Sequence, residues 1–173
     1  METVLKITPL KYDGVDELVG LVNSAYRGED SKKGWTTEAD LIEGSLRIDA
    51  DSVKELMKKE GTTILTCSDG ITLLGCVNLQ QEGDGIYLGM LSVSPNAQGL
   101  GIGKKLLEAS ELHAKAVGCN FIFMTVIDVR HELIAWYERH GYARTGEKKP
   151  FPVDETFGKP RQPLVFDVLK KII

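Results

Sequence analysis

The stretch from Thr62 to Ile127 constrains the fold most, because its hydrophobic period switches there from that of strands to that of a helix and back. Thr62–Cys67 and Ile71–Gln80 are rich in β-branched and apolar residues and flank Ser68-Asp69-Gly70, a hairpin turn signal. Glu82-Gly83-Asp84-Gly85 is a second turn and leads into the apolar run Ile86–Val93. Three such segments joined by tight turns predict an antiparallel meander. Ile102–Val117 then sets Ile102, Leu106, Leu107, Ser110 and Ala114 on one helical face, with Gly118 as its stop. Asn120–Ile127 reads again as a buried strand. A helix of that length between two buried strands predicts a parallel crossover from Ile86 to Ile127.

The flanks add shorter elements. Val4–Pro9 reads as a strand, and Val15–Tyr26 as a helix with Leu18, Leu21, Val22 and Ala25 at helical spacing. Arg27–Gly34 is polar and reads as a loop. Thr37-x-x-Asp40 resembles a capping box, with Trp35 upstream placed to pack on Leu41, and Ser52-x-x-Glu55 repeats the signal, so two short helices are expected. Leu133–Arg139 is a short helix ended by Gly141, and Tyr142–Glu147 and Leu164–Lys171 are closing strands. The expected class is α+β: one domain over 1–173, with a mixed, mostly antiparallel sheet and helices on both faces.

Composition narrows the function. With 42% apolar and 27% charged residues the chain is not expected to be disordered. Lys and Arg total 21 against 25 Asp and Glu, a net charge of −4 with no basic cluster, which argues against nucleic-acid partners and mildly favours a cationic substrate. Three cysteines, Cys67, Cys76 and Cys119, without CxxC spacing, argue against a disulfide framework or zinc site and suit the cytoplasm. The apolar run Phe121–Ile127 is far too short for a membrane span, and no secretory leader is expected at the amino terminus.

The richest motif follows the strand Ile86–Val93: Ser94-Pro95-Asn96-Ala97-Gln98-Gly99-Leu100-Gly101-Ile102-Gly103-Lys104-Lys105. Alternating glycines free the backbone to aim successive N–H groups into one concavity, where they join the unpaired donors and positive dipole end of the following helix. Such a place suits a phosphate or pyrophosphate. A Walker A loop would need Gly at Gln98 and Ser or Thr at Lys105, and a dinucleotide fingerprint would need one more residue before its last glycine. What fits is Gln98-x-x-Gly101-x-Gly103, which resembles the [QR]xxGx[GA] loop of the GCN5-related N-acetyltransferase (GNAT) family. The resemblance extends to the strand ending Leu91-Ser92-Val93-Ser94-Pro95. It extends also to Trp136-Tyr137-Glu138-Arg139-His140-Gly141-Tyr142, similar to the family's [FW]-Y-x-x-x-G-[FY] helix. Arg130 departs from the pattern, standing where the family often has Asn seven residues before the Tyr.

The resemblance implies an acyl-coenzyme A N-acyltransferase fold that moves an acetyl group from acetyl-coenzyme A, as co-substrate and without a metal, to an amine on a small molecule or peptide. It implies that Leu91, Ser92 and Val93 contact the pantetheine and acetyl group through the backbone, and that Gln98, Gly99, Leu100, Gly101, Ile102, Gly103 and Lys104 hold the pyrophosphate. Tyr137 would protonate the leaving thiolate, although packing on Leu133 and Ile134 also accounts for it. Tyr26, Arg27, Trp35 and Arg130 are acceptor candidates, and Glu38 is the candidate base, with Glu82 and Asp128 as competitors. The bland alternatives are a helix cap for the 35–38 segment and a solvated loop for Arg130. The Pro-bearing stretch Lys148–Pro163 is expected to cover the pocket or a neighbouring subunit, which leaves room for a homodimer. The rival functions are a non-catalytic acyl-coenzyme A sensor of the same fold and a nucleotide-phosphate hydrolase reusing the glycine loop.

Overall fold

The computed structural model describes residues 4–27, 31–34, 36–44, 46–152 and 158–173. Its strands are β1 (Lys6–Pro9), β2 (Ile42–Glu43), β3 (Thr62–Ser68), β4 (Leu73–Glu82), β5 (Gly85–Val93), β6 (Phe121–Ile127), β7 (Ala143–Pro150), β8 (Lys159–Pro160) and β9 (Val165–Ile172). The α-helices whose bounds are described are α1 (Val15–Tyr26), α2 (Ala50–Lys58), α3 (Ile102–Ala116) and α4 (His131–Arg139). Seven strands form one sheet in the order β1-β3-β4-β5-β6-β9-β7, and β2 pairs with β8 in a separate two-stranded ribbon.

The expected meander is present: β3 pairs antiparallel with β4, and β4 with β5. The expected crossover is present too, with β5 and β6 parallel and α3 between them in sequence. Both faces of the sheet are covered. On one, Leu106 and Leu107 of α3 and Ile134 of α4 pack against Leu79, Ile86 and Ile122. On the other, Leu18 and Val22 of α1 and Val53 of α2 pack against Ile64, Cys76 and Met90. Burying one such Leu contributes roughly 2 kcal/mol before entropy is charged against it. Gly75 of β4 lets α3 sit close: a Cβ there would stand 2.6 Å from Ile102 Cγ2.

One expected helix does not form. Thr36–Leu41 makes turns, not a helix, because the Glu38 N–H donates to the Tyr26 carbonyl at 2.7 Å and the chain then enters β2, which pairs with β8. Thr37 Oγ1 accepts the Ala39 N–H (3.1 Å) in a local turn. The second expected helix does form, but its cap is Asp49, which accepts the Ser52 N–H at 2.8 Å, three residues before the expected start.

The feature that makes a site is a splay. β5 pairs with β6 only through Gly85–Tyr87 against Phe121–Phe123. Beyond that, β6 stays with β9 as far as Ile127, while β5 stays with β4 and kinks between Cys76 and Asn78 of the β4 register. Met90, at the kink, has φ +58°, which a non-glycine residue rarely adopts. The two central strands therefore diverge and open a gap in the sheet.

Candidate active site

A cavity of about 410 Å³ fills the gap. Its walls are Leu88–Leu91 of β5, Met124–Ile127 of β6, Tyr26 and Arg27 at the end of α1, Glu38, Arg47, Leu133 and Tyr137 of α4, and Phe151, Pro152 and Gly158 from the stretch after β7. Parts of the Pro-bearing stretch thus lie at the cavity, while residues 153–157 lie outside the described residues.

The charged residues of the wall form a cluster. Arg27 Nη2 donates to Glu38 Oε1 at 3.2 Å, and Arg130 Nη1 reaches Glu38 Oε2 at 3.5 Å; all three side chains are at least nine-tenths buried. Arg27 Nη1 also donates to the Leu46 carbonyl (3.0 Å). Burial pulls the Arg27 guanidinium below its usual pKa and Glu38 opposes that pull. Arg47 lies with its guanidinium carbon 5.2 Å from the centre of the Tyr26 ring. It is held there by Asn23 of α1, whose Oδ1 accepts the N–H groups of Arg47 (2.5 Å) and Ile48 (3.0 Å) and whose Nδ2 donates to the Ile48 carbonyl (3.0 Å). Three arginines face one carboxylate, so the described wall carries 3 − 1 = +2. That is the opposite sign to the whole chain.

Two tyrosines frame the middle of the cavity. The Tyr26 hydroxyl donates to the Leu91 carbonyl in a short hydrogen bond, which ties the end of α1 to the splayed strand. Burial pushes the Tyr26 phenol up to about 12. Tyr137 is buried at the cavity wall, stacked edge-on against Trp136 and Tyr142, and burial raises its phenol well above the usual 10.0. A phenol so shifted is protonated at neutral pH and can act as an acid.

A second cavity of about 190 Å³ adjoins Val93 and Trp136 and is lined by Ala97, Gln98, Gly99, Gly101, Ile102, Gly103 and Lys104. Gly99 and Gly101 have φ +81° and +71°, and no atom lies within 4 Å of where their Cβ would stand, so the space over the loop is open. Gly101 caps α3 without a side-chain hydrogen bond. The first amide there to find a backbone acceptor is Lys105, which donates to Gly101 at 3.0 Å; among the described residues the amides of 98–104 have none. Free amides, a helix N-terminus and an open cradle fit a diphosphate.

The structure separates the expected contacts by type. Gln98 Nε2 donates to the Ser94 carbonyl (2.8 Å), so its side chain braces the turn. Ser92 Oγ donates to the Met90 carbonyl (3.0 Å) and supports the kink. Leu91 lines the larger cavity and Val93 the smaller; Leu100 is half exposed and lines neither. Lys104 lines the smaller cavity and is paired at the surface with Glu108 at 4.0 Å. Tyr26, Arg27, Glu38, Arg130 and Tyr137 all meet at the larger cavity, whereas Trp35 lies outside the described residues. The competing acids are elsewhere: Glu82 is exposed at the β4 end, and Asp128 pairs with Lys148 at 3.4 Å. Arg47 and the Met90 kink were not anticipated; neither residue type carries a local signal of its role.

Comparison with known proteins agrees with this geometry. Residues 25–142 match the model of the acetyltransferase (GNAT) family. This chain belongs to that family. No curated protein sequence matches it significantly. Its fold is similar to that of an N-acetyltransferase from Staphylococcus aureus Mu50 (13% identity, 98% of this chain and 97% of that one, TM-score 0.74). It is also similar to the ribosomal-protein-S18-alanine N-acetyltransferase of Escherichia coli (13% identity, 98% and 94%, TM-score 0.73). A third similar structure is yncA, an acetyltransferase from Salmonella typhimurium solved with acetyl-CoA as its cofactor (15% identity, 98% and 94%, TM-score 0.70). The mixed, mostly antiparallel sheet with helices on both faces is thus the acyl-CoA N-acyltransferase fold. Among the described residues no helix is long and apolar enough to cross a membrane.

Proposed function

We propose that the protein transfers the acetyl group of acetyl-CoA to an amine held in the larger cavity, by direct transfer in a ternary complex. The observation that carries this reading is the adjacency of two different sites: a phosphate cradle at Gln98–Lys104 and a chemically rich cavity, meeting along Leu91–Val93 and the Trp136-Tyr137 pair. Acetyl-CoA supplies the activated thioester acetyl group when bound. The free amides of 98–104 hold its diphosphate, and the backbone of Leu91–Val93 lies along the splay to receive the arm and to meet the charge that develops on the acyl oxygen. Ordering both partners in one gap supplies proximity.

Transfer forms a C–N bond, breaks a C–S bond, removes a proton from the amine nitrogen and returns one to the sulfur. Tyr137 holds the proton destined for sulfur at its Oη, kept there by burial. Glu38 is the only carboxylate in the described wall, but both of its oxygens face guanidiniums, which suits anchoring Arg130 better than taking a proton. We therefore assign Glu38 to positioning, in place of the base expected from the sequence, and assign the amine proton to water in the cavity.

The reading is tested by following thiol release from acetyl-CoA across a library of amines. Amine-dependent release is expected; tight acetyl-CoA binding with no release from any amine would favour the sensor instead. Tyr137→Phe is expected to lower kcat about 100-fold while leaving coenzyme affinity within a factor of two. Since the raised phenol stays protonated, no alkaline loss of rate due to Tyr137 is expected below pH 10. An unaltered rate in Tyr137→Phe would reduce the residue to packing.

A further inference from the structure

Resting on the acetyl-transfer reading, we infer that the acceptor is a small amine that also bears a carboxylate, and that Arg130, assisted by Arg47, grips that carboxylate. The three arginines of the cavity are not equivalent. Arg27 is the most committed: it is buried, and its Nη1 and Nη2 donate to the Leu46 carbonyl and to Glu38. The Arg130 guanidinium has one hydrogen-bond contact among the described residues, the 3.5 Å approach to Glu38 Oε2, at the limit of a hydrogen bond. A guanidinium has five N–H donors in a planar fork, so most of Arg130's donors are uncommitted and its side chain opens only onto the cavity wall. Arg47 stacks on Tyr26, and its guanidinium has no hydrogen bond among the described residues.

The backbone around Arg130 sharpens the point. Arg130 occupies the N-cap of α4 and makes no side-chain capping bond there. A short polar residue would cap that helix and stabilise it. Arginine forgoes the cap and sends its head group into the cavity instead. A buried cation with free donors fits a planar anionic partner in bidentate geometry. The coenzyme's diphosphate has its own cradle at the glycine loop. The excess positive charge that the described residues give the larger cavity therefore falls to the other substrate.

An ammonium alone would enter a wall of the same sign and be repelled. An amine with a carboxylate compensates the wall, and the repulsion also favours loss of the amine proton beside Arg130 and Arg47. The volume of about 410 Å³ has to hold the acetyl end of the coenzyme as well, which suits a molecule of amino-acid size. Met124 and Phe166 supply an apolar wall for the rest of it.

The test compares free amino acids with the matching decarboxylated amines, for example leucine with isoamylamine and phenylalanine with phenethylamine. For the wild type, kcat/KM is expected to be at least 100-fold higher for the amino acids. In Arg130→Met that ratio is expected to fall to near one, with Arg130→Lys recovering part of it and calorimetric affinity for acetyl-CoA unchanged. Arg130→Met leaves Glu38 paired with Arg27, so the fold is retained. Equal or better use of decarboxylated amines by the wild type overturns the inference while leaving acetyl transfer standing. If no amine is acetylated, acetyl transfer fails, and the carboxylate site is judged by calorimetry with N-acetyl-leucine and CoA. Binding that weakens tenfold or more in Arg130→Met supports the site, and binding that is absent in the wild type or equal in the two proteins overturns it.

Discussion

Gly101→Glu is expected to weaken acetyl-CoA binding about 1,000-fold or more while the protein stays folded. Gly101 sits at φ +71° as the cap of α3, and its missing Cβ faces open space over the loop. Two costs add when Glu replaces it. A non-glycine residue in the left-handed region costs roughly 1–2 kcal/mol. A carboxylate set beside a diphosphate at about 4 Å opposes it by about 4 kcal/mol at the effective dielectric of a protein surface. The charge alone accounts for about three decades of affinity, and the strain adds to it where the free loop relaxes out of the cradle conformation. Gly101→Ala separates the two costs, since it carries the strain without the charge and should lose at most about 30-fold. Calorimetric titration with acetyl-CoA decides between them. Unchanged affinity in Gly101→Glu would mean that the amides of 98–104 hold no phosphate.

The loop was legible in the sequence because its chemistry is local. Alternating glycines before a helix dictate an open nest of amides whatever surrounds them, and the unbonded N–H groups of 98–104 follow from that spacing. The meander and crossover were legible for a related reason: turns and hydrophobic period are properties of short segments, and the register of β3, β4 and β5 follows their two turns. What escaped depends on partners distant in sequence. Thr37-x-x-Asp40 looks like a helix start, but the Tyr26 carbonyl takes the Glu38 N–H, and Ile42–Glu43 is drawn into pairing with Lys159–Pro160. Arg47 reaches the cavity only because Asn23, on another element, holds the backbone of 47 and 48 with three hydrogen bonds. The kink at Met90 is a positive φ imposed on a residue with no preference for it, supported by Ser92 Oγ on its carbonyl, and it decides where the sheet opens. The sign of the described cavity wall is the plainest case: a chain of net charge −4 gathers, among the described residues, three arginines and one carboxylate in one gap, which no sum over the sequence could reveal.

Glu38→Leu is expected to cost about 3–5 kcal/mol of stability, a larger loss than at an ordinary surface ion pair. The Arg27 side chain is 4% exposed and the Glu38 side chain 10%, so little water can replace the lost partner. Removing Glu38 takes a carboxylate away from a guanidinium that is almost wholly buried, and the penalty of leaving that charge less compensated, rather than the lost attraction, sets the size of the effect. Arg27 keeps its bond to the Leu46 carbonyl, a neutral acceptor. Arg130 suffers less, since its head group opens onto the cavity wall. For a chain of this length the loss corresponds to a melting temperature lower by about 10 °C. The compensating variant discriminates between explanations: Arg27→Met added to Glu38→Leu removes the buried cation and keeps an unbranched apolar stem, so most of the stability should return. Urea unfolding of the wild type, the single variant and the double variant measures this directly. If Glu38→Leu alone is as stable as the wild type, water reaches Arg27 and the cluster is a solvated one. If both variants are equally unstable, Glu38 supports the fold through its shape and not its charge. Recovery in the double variant would establish that the charge on Arg27, and not the shape of Glu38, makes the single variant unstable.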